Sequence, residues 1–508
     1  MPRRARRPRA RVVTVPEEVP STDALFIILR RMRAPIVVLI VIFNVFIVGL
    51  TQMPGVDDNG DPYRMSVLDA LYFVSYTATT IGFGELPYTF TPQQRMWVTA
   101  MIYASVLGWA YTFGSLFRLL REDSFKSALA AQRFHQKVRG LQEPFQIIAG
   151  YGHAGRVVGA SLDDAGHRFV VVDGHSARVD LVHSDALHFD VPALVADARQ
   201  PGVLGLAGLG HPRCEGILAI TDDDEVNLAI VMAARLLRPD VPVVARCDDR
   251  RTQERMREFS PTAIVNPYLR YGETLAMALK RPVTYRLVSW LTSPAGTELP
   301  PLRPGLADGR WVVHGKTYFG QEIAEDLRRH GLDVVITDVA RDEDLEEVVG
   351  LVAATDEDST NLAMAAHVRR FDPNIFLSVR QESHQTGPLV AAFGFDSVLI
   401  PSDVVAQEVL ARVITPMYRR VVRHVSTRDD VWSQALLERI VDRCGDLIPT
   451  SVLVRLDRES APAVARWLDQ GRRLTVGQLL SDPEDRDLPL SALPLAVFRG
   501  GTRTFVPE

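Results

Sequence analysis

Thr79-Thr80-Ile81-Gly82-Phe83-Gly84-Glu85 is the stretch on which the fold turns. Glycine recurs at alternate positions, 82 and 84, where a main chain aiming successive carbonyls at one axis needs angles that side chains resist. A ring of such oxygens, supplied by several copies of a short extended loop, replaces the hydration shell of a cation. Thr80 adds a hydroxyl oxygen at the inner end. Apolar segments long enough to cross a bilayer flank the stretch. Ala34 to Leu50 is apolar apart from Asn44, and Thr51 to Met53 extend it to about the 20 residues a span requires. A second span runs from about Met96 to Leu120 without a charge before Arg118. Between the first span and the glycines, Ser66 to Thr79 has the length and apolar content of a short re-entrant helix. Non-helical backbone at that depth survives only when enclosed by protein or facing water.

The stretch resembles the potassium-channel signature TVGYG, with Ile81 for valine, Phe83 for tyrosine and Glu85 for the usual aspartate. The resemblance implies a selectivity filter made of Thr80, Ile81, Gly82, Phe83 and Gly84, with K+ as the permeant ion. It implies a homotetramer, because two spans and one filter per chain cannot enclose a pore. It also implies that Phe83 lacks a hydroxyl that in the family braces the filter from behind, and that Tyr72 and Phe73 pack around it. Gly108 and Gly114 lie within the second span. Gly108 is the expected gating hinge, and close helix packing is the alternative reading of either glycine. Asn44 reads as a helix-contact residue. Asp57, Asp58, Asp61 and Glu85 are expected to concentrate cations outside. The loop GVDDNGDPY has Pro62 where a calcium loop needs glycine, so it reads as a solvated acidic turn.

Charge sets the orientation. Arg30, Arg31 and Arg33 precede the first span, and Arg121, Lys126, Arg133, Lys137 and Arg139 follow the second; Arg64 and Arg95 are the only cations between. Both termini are therefore expected in the cytoplasm, with the chain passing twice through the lipid bilayer of the inner (plasma) membrane. Arg3, Arg4, Arg6, Arg7, Arg9 and Arg11 fit the same reading, and a net charge of -5 gives no general push toward nucleic acid. Three cysteines, odd in number and widely spaced, show no metal-ligand pattern and read as reduced structural thiols. The first apolar segment is too long for a cleavable signal.

After a charged helical connector at 121 to 143, Phe145 to Ala149 reads as a buried strand leading into Gly150-Tyr151-Gly152-His153-Ala154-Gly155. A helix and a second strand ending at Asp173 follow. This arrangement is the dinucleotide-binding fingerprint: glycines admit a pyrophosphate to the helix N-terminus, and the acid accepts ribose hydroxyls. Arg156 is a candidate phosphate contact. Asp197 and Thr221 lie after later strands, on the side where ligands of such sheets bind. The layout recurs. Gly320, Gly331 and Asp338 match Gly155, Gly166 and Asp173 at an offset of 165, while ILAITDDDEVNLA (217 to 229) matches LVAATDEDSTNLA (351 to 363) at an offset of 134. The second copy therefore lacks 31 residues, roughly one strand-helix unit after Asp338. Thr317 stands where the first copy has Gly152, which predicts a crowded pyrophosphate path and an empty second cleft.

This tandem resembles RCK (TrkA-N-like) domains, regulators of potassium conductance. The fold class it implies is a membrane α-helical pore domain followed by two α/β Rossmann-like RCK domains with a small α+β C-terminal lobe. The expected domains are a basic N-terminus (1–24), the pore (25–120), the connector (121–143), the first RCK domain (144–308), the second RCK domain (309–425) and the C-terminal lobe (426–508). Apolar helices at 267 to 282 and 403 to 422 correspond to the crossover helices that build dimer contacts in the family, and 283 to 308 has room only for a reduced lobe. The implied function is a ligand-gated potassium channel with a ring of eight RCK units. Its ligand is a small-molecule nucleotide (NAD, NADH or an adenine nucleotide), and the acidic clusters at 222 to 224 and 356 to 358 keep a divalent cation such as Ca2+ open. A weakly selective cation channel and a regulatory subunit of a potassium transporter are the alternatives. An oxidoreductase would need a substrate domain and an acid-base constellation that the sequence lacks.

Overall fold

A computed structural model describes residues 15–16, 24–85, 87–293, 295–302, 309–338, 347–382, 384–482, 485, 487–499 and 502–505. The arginines at 3 to 11 lie outside the described residues. The chain divides into two compact units, residues 15–141 with 202–208, and 142–201 with 209 onward.

In the first unit, helix α1 (Ala24–Gln52) begins ten residues before Ala34, so Arg30, Arg31 and Arg33 belong to the helix itself. A hairpin of β1 (Pro54–Val56) and β2 (Pro62–Arg64) encloses the acidic turn, where the Asp57 carboxylate accepts the N–H groups of Asn59 and Asp61. Helix α2 (Val67–Ala78) starts at Ser66, whose hydroxyl accepts the Asp69 N–H. Helix α3 (Pro92–Arg121) starts four residues before Met96, because Thr91 and Gln94 cap each other and Pro92 suits a first turn. Helix α4 (Asp123–Arg139) is the connector. Helices α1 and α3 are long and apolar enough to cross a membrane. Phe46, Leu50, Phe73, Tyr76 and Met101 form a shared core of α1, α2 and α3. Gly49 leaves room for Trp97, whose indole donates to the Phe46 carbonyl at 3.3 Å.

The second unit opens with β3 (Phe145–Ala149), α5 (His153–Asp164), β4 (Arg168–Asp173), α6 (Ser176–Ser184) and β5 (Ala193–Val195). Past α7 (Pro201–Leu206), most of which groups with the first unit, come β6 (Cys214–Ala219), α8 (Asp224–Leu237), β7 (Val243–Arg246), α9 (Arg250–Glu258) and β8 (Ala263–Val265). The six strands pair in parallel in the order β5-β4-β3-β6-β7-β8. Helices α10 (Pro267–Lys280) and α11 (Pro282–Thr292) lead to the second copy. This copy comprises β9 (Arg310–His314), α12 (Tyr318–Arg329), β10 (Asp333–Thr337), β11 (Val348–Ala353), α13 (Asp358–Phe371), β12 (Phe376–Arg380), α14 (Gly387–Phe393) and β13 (Ser397–Leu399). Its parallel order is β10-β9-β11-β12-β13. Among the described residues nothing corresponds to β5, as the shortened repeat predicts.

The chain continues through α15 (Pro401–Val413), α16 (Pro416–Ser426), α17 (Asp430–Cys444), α18 (Pro462–Asp469), α19 (Val476–Leu479) and an antiparallel hairpin of β14 (Ala496–Arg499) and β15 (Thr502–Phe505). The segment expected as one helix over 403 to 422 is two, because Pro416 lacks an N–H and disfavours helical geometry at Thr415. The segment 283 to 308 does not form a reduced lobe of its own among its described residues. Instead Leu287 and Trp290 of α11 share a core with Val421 and Val425 of α16 and Leu436 and Ile440 of α17.

The two copies exchange helices. Tyr268, Tyr271, Leu275 and Leu279 of α10, which follows the first sheet, join Trp311, Phe319 and Ile323 of the second copy. Val405, Ala406 and Val409 of α15, which follows the second sheet, join Ile148, Val158 and Leu162 of the first. The crossover helices thus pair two copies within one chain.

At the α10–α12 contact, Gly272 makes room for the Asp326 side chain, which a Cβ there would overlap. Burial, with Glu322 and Glu273 adding to it, pushes the Asp326 carboxyl up to about 6, although Arg329 pulls the other way. The folded chain therefore holds this proton more tightly than the unfolded chain. The stabilisation is complete below about pH 4 and is lost as pH rises through about 6, on the order of 2–3 kcal/mol. Asp326→Asn should remove that loss: the fall in thermal unfolding temperature of the purified protein between pH 4.5 and 7.5 should be smaller in the variant than in the parent.

Candidate functional site

The filter stretch leaves α2 with an alternating backbone. Thr80, Gly82 and Gly84 have φ of 65°, 69° and 102°, while Ile81 and Phe83 are not left-handed. For Thr80 this costs about 1–2 kcal/mol. The N–H groups of Ile81 and Gly82 donate to the Tyr76 carbonyl at 2.8 and 3.3 Å, and that of Thr80 to Thr77 at 3.1 Å. In a planar trans peptide the carbonyl opposes the N–H. The carbonyls of Thr79, Thr80 and Ile81 therefore face away from α2, as a carbonyl ladder requires. Gly84 departs from this pattern: its carbonyl accepts the Tyr76 hydroxyl at 2.7 Å. Ile81 and Phe83 are 60% and 62% exposed in the single chain.

Glu85, expected to attract cations, is already paired. Arg95 holds it through two bonds of 2.9 and 3.1 Å, and the Phe90 N–H donates to it at 2.9 Å. Tyr72 stacks on Phe83 at 6.5 Å, and Phe73 meets Tyr76 edge-on. Asn44 bonds within its own helix, to the Ile40 carbonyl. At Gly108, a Cβ would stand 2.9 and 3.0 Å from Leu39 and Ile42, so this glycine lets α1 and α3 pack closely. Gly114 has open space around it, and α3 is unbroken through both.

In the first cleft the glycines have distinct duties. Gly150, at φ 100°, lies 2.7–2.8 Å from the Thr221 backbone by its would-be Cβ, and a Cβ on Gly155 would overlap the Gly150 carbonyl. Gly152 meets only Arg178, at 3.7 Å, and gives α5 no side-chain cap. With Ala154 it frames the open helix end. Asp173 is buried at the cleft wall, where its two oxygens accept the N–H groups of Tyr151 (2.7 Å) and His175 (2.8 Å). The acid thus shapes the glycine turn. Asp338 does the same for Lys316, at 2.8 Å.

Other expected contacts are engaged within the protein. Arg156 forks onto Asp185, His153 meets Asp403 at 2.9 Å, and Asp197 holds Arg199, which keeps its carboxyl below the usual range. The Thr221 hydroxyl bonds Asn227 and Asp223. Buried Asn227 also donates to the Thr221 and Arg246 carbonyls, tying β6 to β7; Asn361 repeats every one of these bonds with Thr355 and Arg380. The repeated motif is a strand clasp. Arg178 is a cleft residue without a sequence signal. It reaches Asp222 at 2.8 Å, lowering that carboxyl, and Asp173 at 3.6 Å.

The acidic clusters are consumed locally. Asp222 pairs with Arg178, Asp223 caps α8, and Asp224 accepts the N–H groups of Asp248 and Asp249. In the second copy Asp356 pairs with Arg380, and Asp358 accepts the Glu382 N–H. Among the described residues, Asp163, Asp164 and His188 bring ligand atoms within 4.8 Å, at the far end of α5 from the glycines. Cys214 and Cys247 are buried, and burial pushes the Cys214 thiol up to about 11. In the second cleft the Thr317 hydroxyl accepts the Gly320 N–H at 3.1 Å and donates to Ala354 at 2.6 Å, and Lys316 covers Asp338 at 3.2 Å.

Residues 35–122 match the family model described as an ion channel, and residues 146–267 and 319–401 match the TrkA-N domain. The chain joins an ion-channel domain to TrkA-N domains. Probable potassium channel protein 2 of Methanocaldococcus jannaschii is 26% identical over 231 residues, covering 43% of this chain and 64% of that protein. Potassium channel protein 1 of the same organism is 25% identical over 234 residues, covering 45% and 66%. A solved structure described as the GsuK channel covers 77% of this chain and 99% of its own, at 17% identity and a TM-score of 0.41. The chain spans from about a third to two thirds of the length of such curated relatives.

The TrkA-N glycines separate by experiment. Gly155→Ala should lower thermal stability by about 1–3 kcal/mol, because main chain must move. Gly152→Thr should be tolerated and raise stability by a few tenths of a kcal/mol, since Thr317 already occupies the matching position as a cap. Denaturant unfolding of the two variants checks the contrast.

Proposed function

We propose that the chain forms a homotetrameric, potassium-selective channel of the inner (plasma) membrane, gated by a nucleotide on its cytoplasmic TrkA-N domains. The observation carrying this reading is the backbone at 80 to 82, whose N–H groups turn onto α2 and leave the opposing carbonyls unclaimed. Four such loops around an axis supply the oxygens that replace water around K+. The relatives named as potassium channels support the same reading. Both termini lie in the cytoplasm, and eight Rossmann units from four chains form the gating ring.

The first copy holds the nucleotide. Its uncapped α5 end takes the phosphates, Arg178 adds positive charge across the mouth, and Asp173 meets the ribose. NAD, NADH or an adenine nucleotide fits this chemistry. The second copy stays empty because Thr317 and Lys316 fill the corresponding positions. A ligand shifts gating only by its differential affinity for open and closed rings. A tenfold preference gives about 1.4 kcal/mol per site, so four sites give roughly 5–6 kcal/mol, enough for a switch.

Purified protein in liposomes should pass rubidium, and reversal potentials in mixed potassium and sodium should follow potassium. Equal permeability would favour a weakly selective cation channel, a reading motivated by Phe83 and Glu85. A panel of NAD, NADH, ADP and ATP in bilayer recordings should change open probability in the parent and not in Gly152→Thr, with selectivity retained; an unaltered response in that variant would move the nucleotide elsewhere.

A further inference from the structure

A filter of unclaimed carbonyls is unstable on its own, since nothing within it resists collapse when ions leave. The signature that this stretch resembles has a tyrosine at the position of Phe83, and the resemblance implies a bracing hydroxyl there that Phe83 lacks. The hydroxyl present here comes from another residue. Tyr76 lies in the last turn of α2 and is 3% exposed. Its carbonyl accepts from Ile81 and Gly82 near the inner end of the filter, and its hydroxyl donates to the Gly84 carbonyl at the outer end. One residue thus grips both ends of the same loop, with its main-chain carbonyl at the inner end and its side-chain hydroxyl at the outer. Its ring packs edge-on against Phe83 at 5.4 Å, and Tyr72 and Phe73 hold it from either side at 5.2 and 5.3 Å.

A second grip follows directly. Glu85 receives the two-pronged guanidinium of Arg95 and the main-chain N–H of Phe90, which tie the outer end of the filter to the start of α3. Three donors on one carboxylate fix its orientation far better than a single exposed ion pair, which contributes little. Arg95 is anchored because α3 begins at a full capping box on Thr91 and Gln94.

Resting on the channel reading above, we propose that Tyr76 and the Glu85–Arg95 pair are the positioning residues of this filter, replacing the absent hydroxyl at position 83. The Gly84 carbonyl is consequently not an ion ligand. It faces Tyr76, and the ladder ends at the carbonyls before it. The permeant ion never touches Tyr76 or Arg95, which act by holding the loop open.

The test uses the full-length channel in planar bilayers with external potassium stepped down. Tyr76→Phe removes only the hydroxyl. Losing one hydrogen bond of ordinary strength should speed the decay of current in low external potassium by about tenfold and lower the potassium-to-sodium permeability ratio. Arg95→Gln, which leaves the α2 core untouched, should act in the same direction. The exchange Glu85→Arg with Arg95→Glu should restore part of the sustained current that Arg95→Gln loses. A change confined to expression or tetramer yield, with decay and permeability ratios matching the parent in both single variants, would overturn the brace while leaving the channel intact. A parent protein that passes no rubidium would overturn the channel reading, and the brace with it.

Discussion

A main-chain carbonyl replaces the water around a cation only if no donor of its own protein reaches it first. At residues 79 to 81 that condition is met from behind. Every N–H on the loop's inner half finds a carbonyl at the end of α2, so each opposing carbonyl is left facing outward. The left-handed angle at Thr80 is the cost, offset by hydrogen bonds contributing about 1 kcal/mol each. Much of the surrounding unit serves to keep α2 in place. Ser66 fixes its first turn, Phe46 and Met101 bury one face, and Gly49 and Gly108 let the long helices approach closely enough to enclose it.

The sheet unit solves a different problem with related means. Two Rossmann sheets must move as a pair if a ligand on one is to matter to the other. Exchange of α10 and α15 accomplishes this by placing each copy's following helix in its neighbour's core. Where the exchanged helices meet, Glu408 of α15 lies among Arg270 of α10, Arg412 of α15 and Arg419 of α16. Burial alone would raise this carboxyl, but the three arginines outweigh it and hold it below the usual range. Such a contact is directional, unlike the apolar packing beside it. Removing one partner from a part-buried cluster leaves charge without compensation, so the crossing resists sliding.

Much of this was legible in the residues themselves. Span lengths, the short apolar helix between the spans, both strand-turn-helix glycine motifs and a second sheet with, among the described residues, one strand fewer than the first follow from spacing and composition, because each obeys a local rule. What escaped depended on contacts distant in sequence or on which partner a polar group chooses. Arg178 carries no motif, and only the fold brings it over Gly152. Arg156, Asp197 and Thr221 have the right chemistry at the right sheet edge, yet Asp185, Arg199 and Asn227 take them first. Glu85 reads as a free outer charge until Arg95, one helix later, is seen to hold it. Pro416 divides the segment read as one helix over 403 to 422 into α15 and α16.

The two copies differ most instructively at one position. At Thr317 a hydroxyl satisfies the Gly320 N–H, the same kind of donor a phosphate oxygen would use, and Lys316 neutralises the acid that would meet a ribose. That helix end is capped by its own side chain. Gly152 leaves the matching helix end without a side-chain cap, a small standing cost to stability. The clasp of Asn227 and Asn361 keeps the two frames alike, so the copies differ at their helix starts. If a nucleotide binds the first copy as proposed, a pair with one responsive and one fixed half turns that binding into relative displacement. Two equally responsive halves would move together and transmit less.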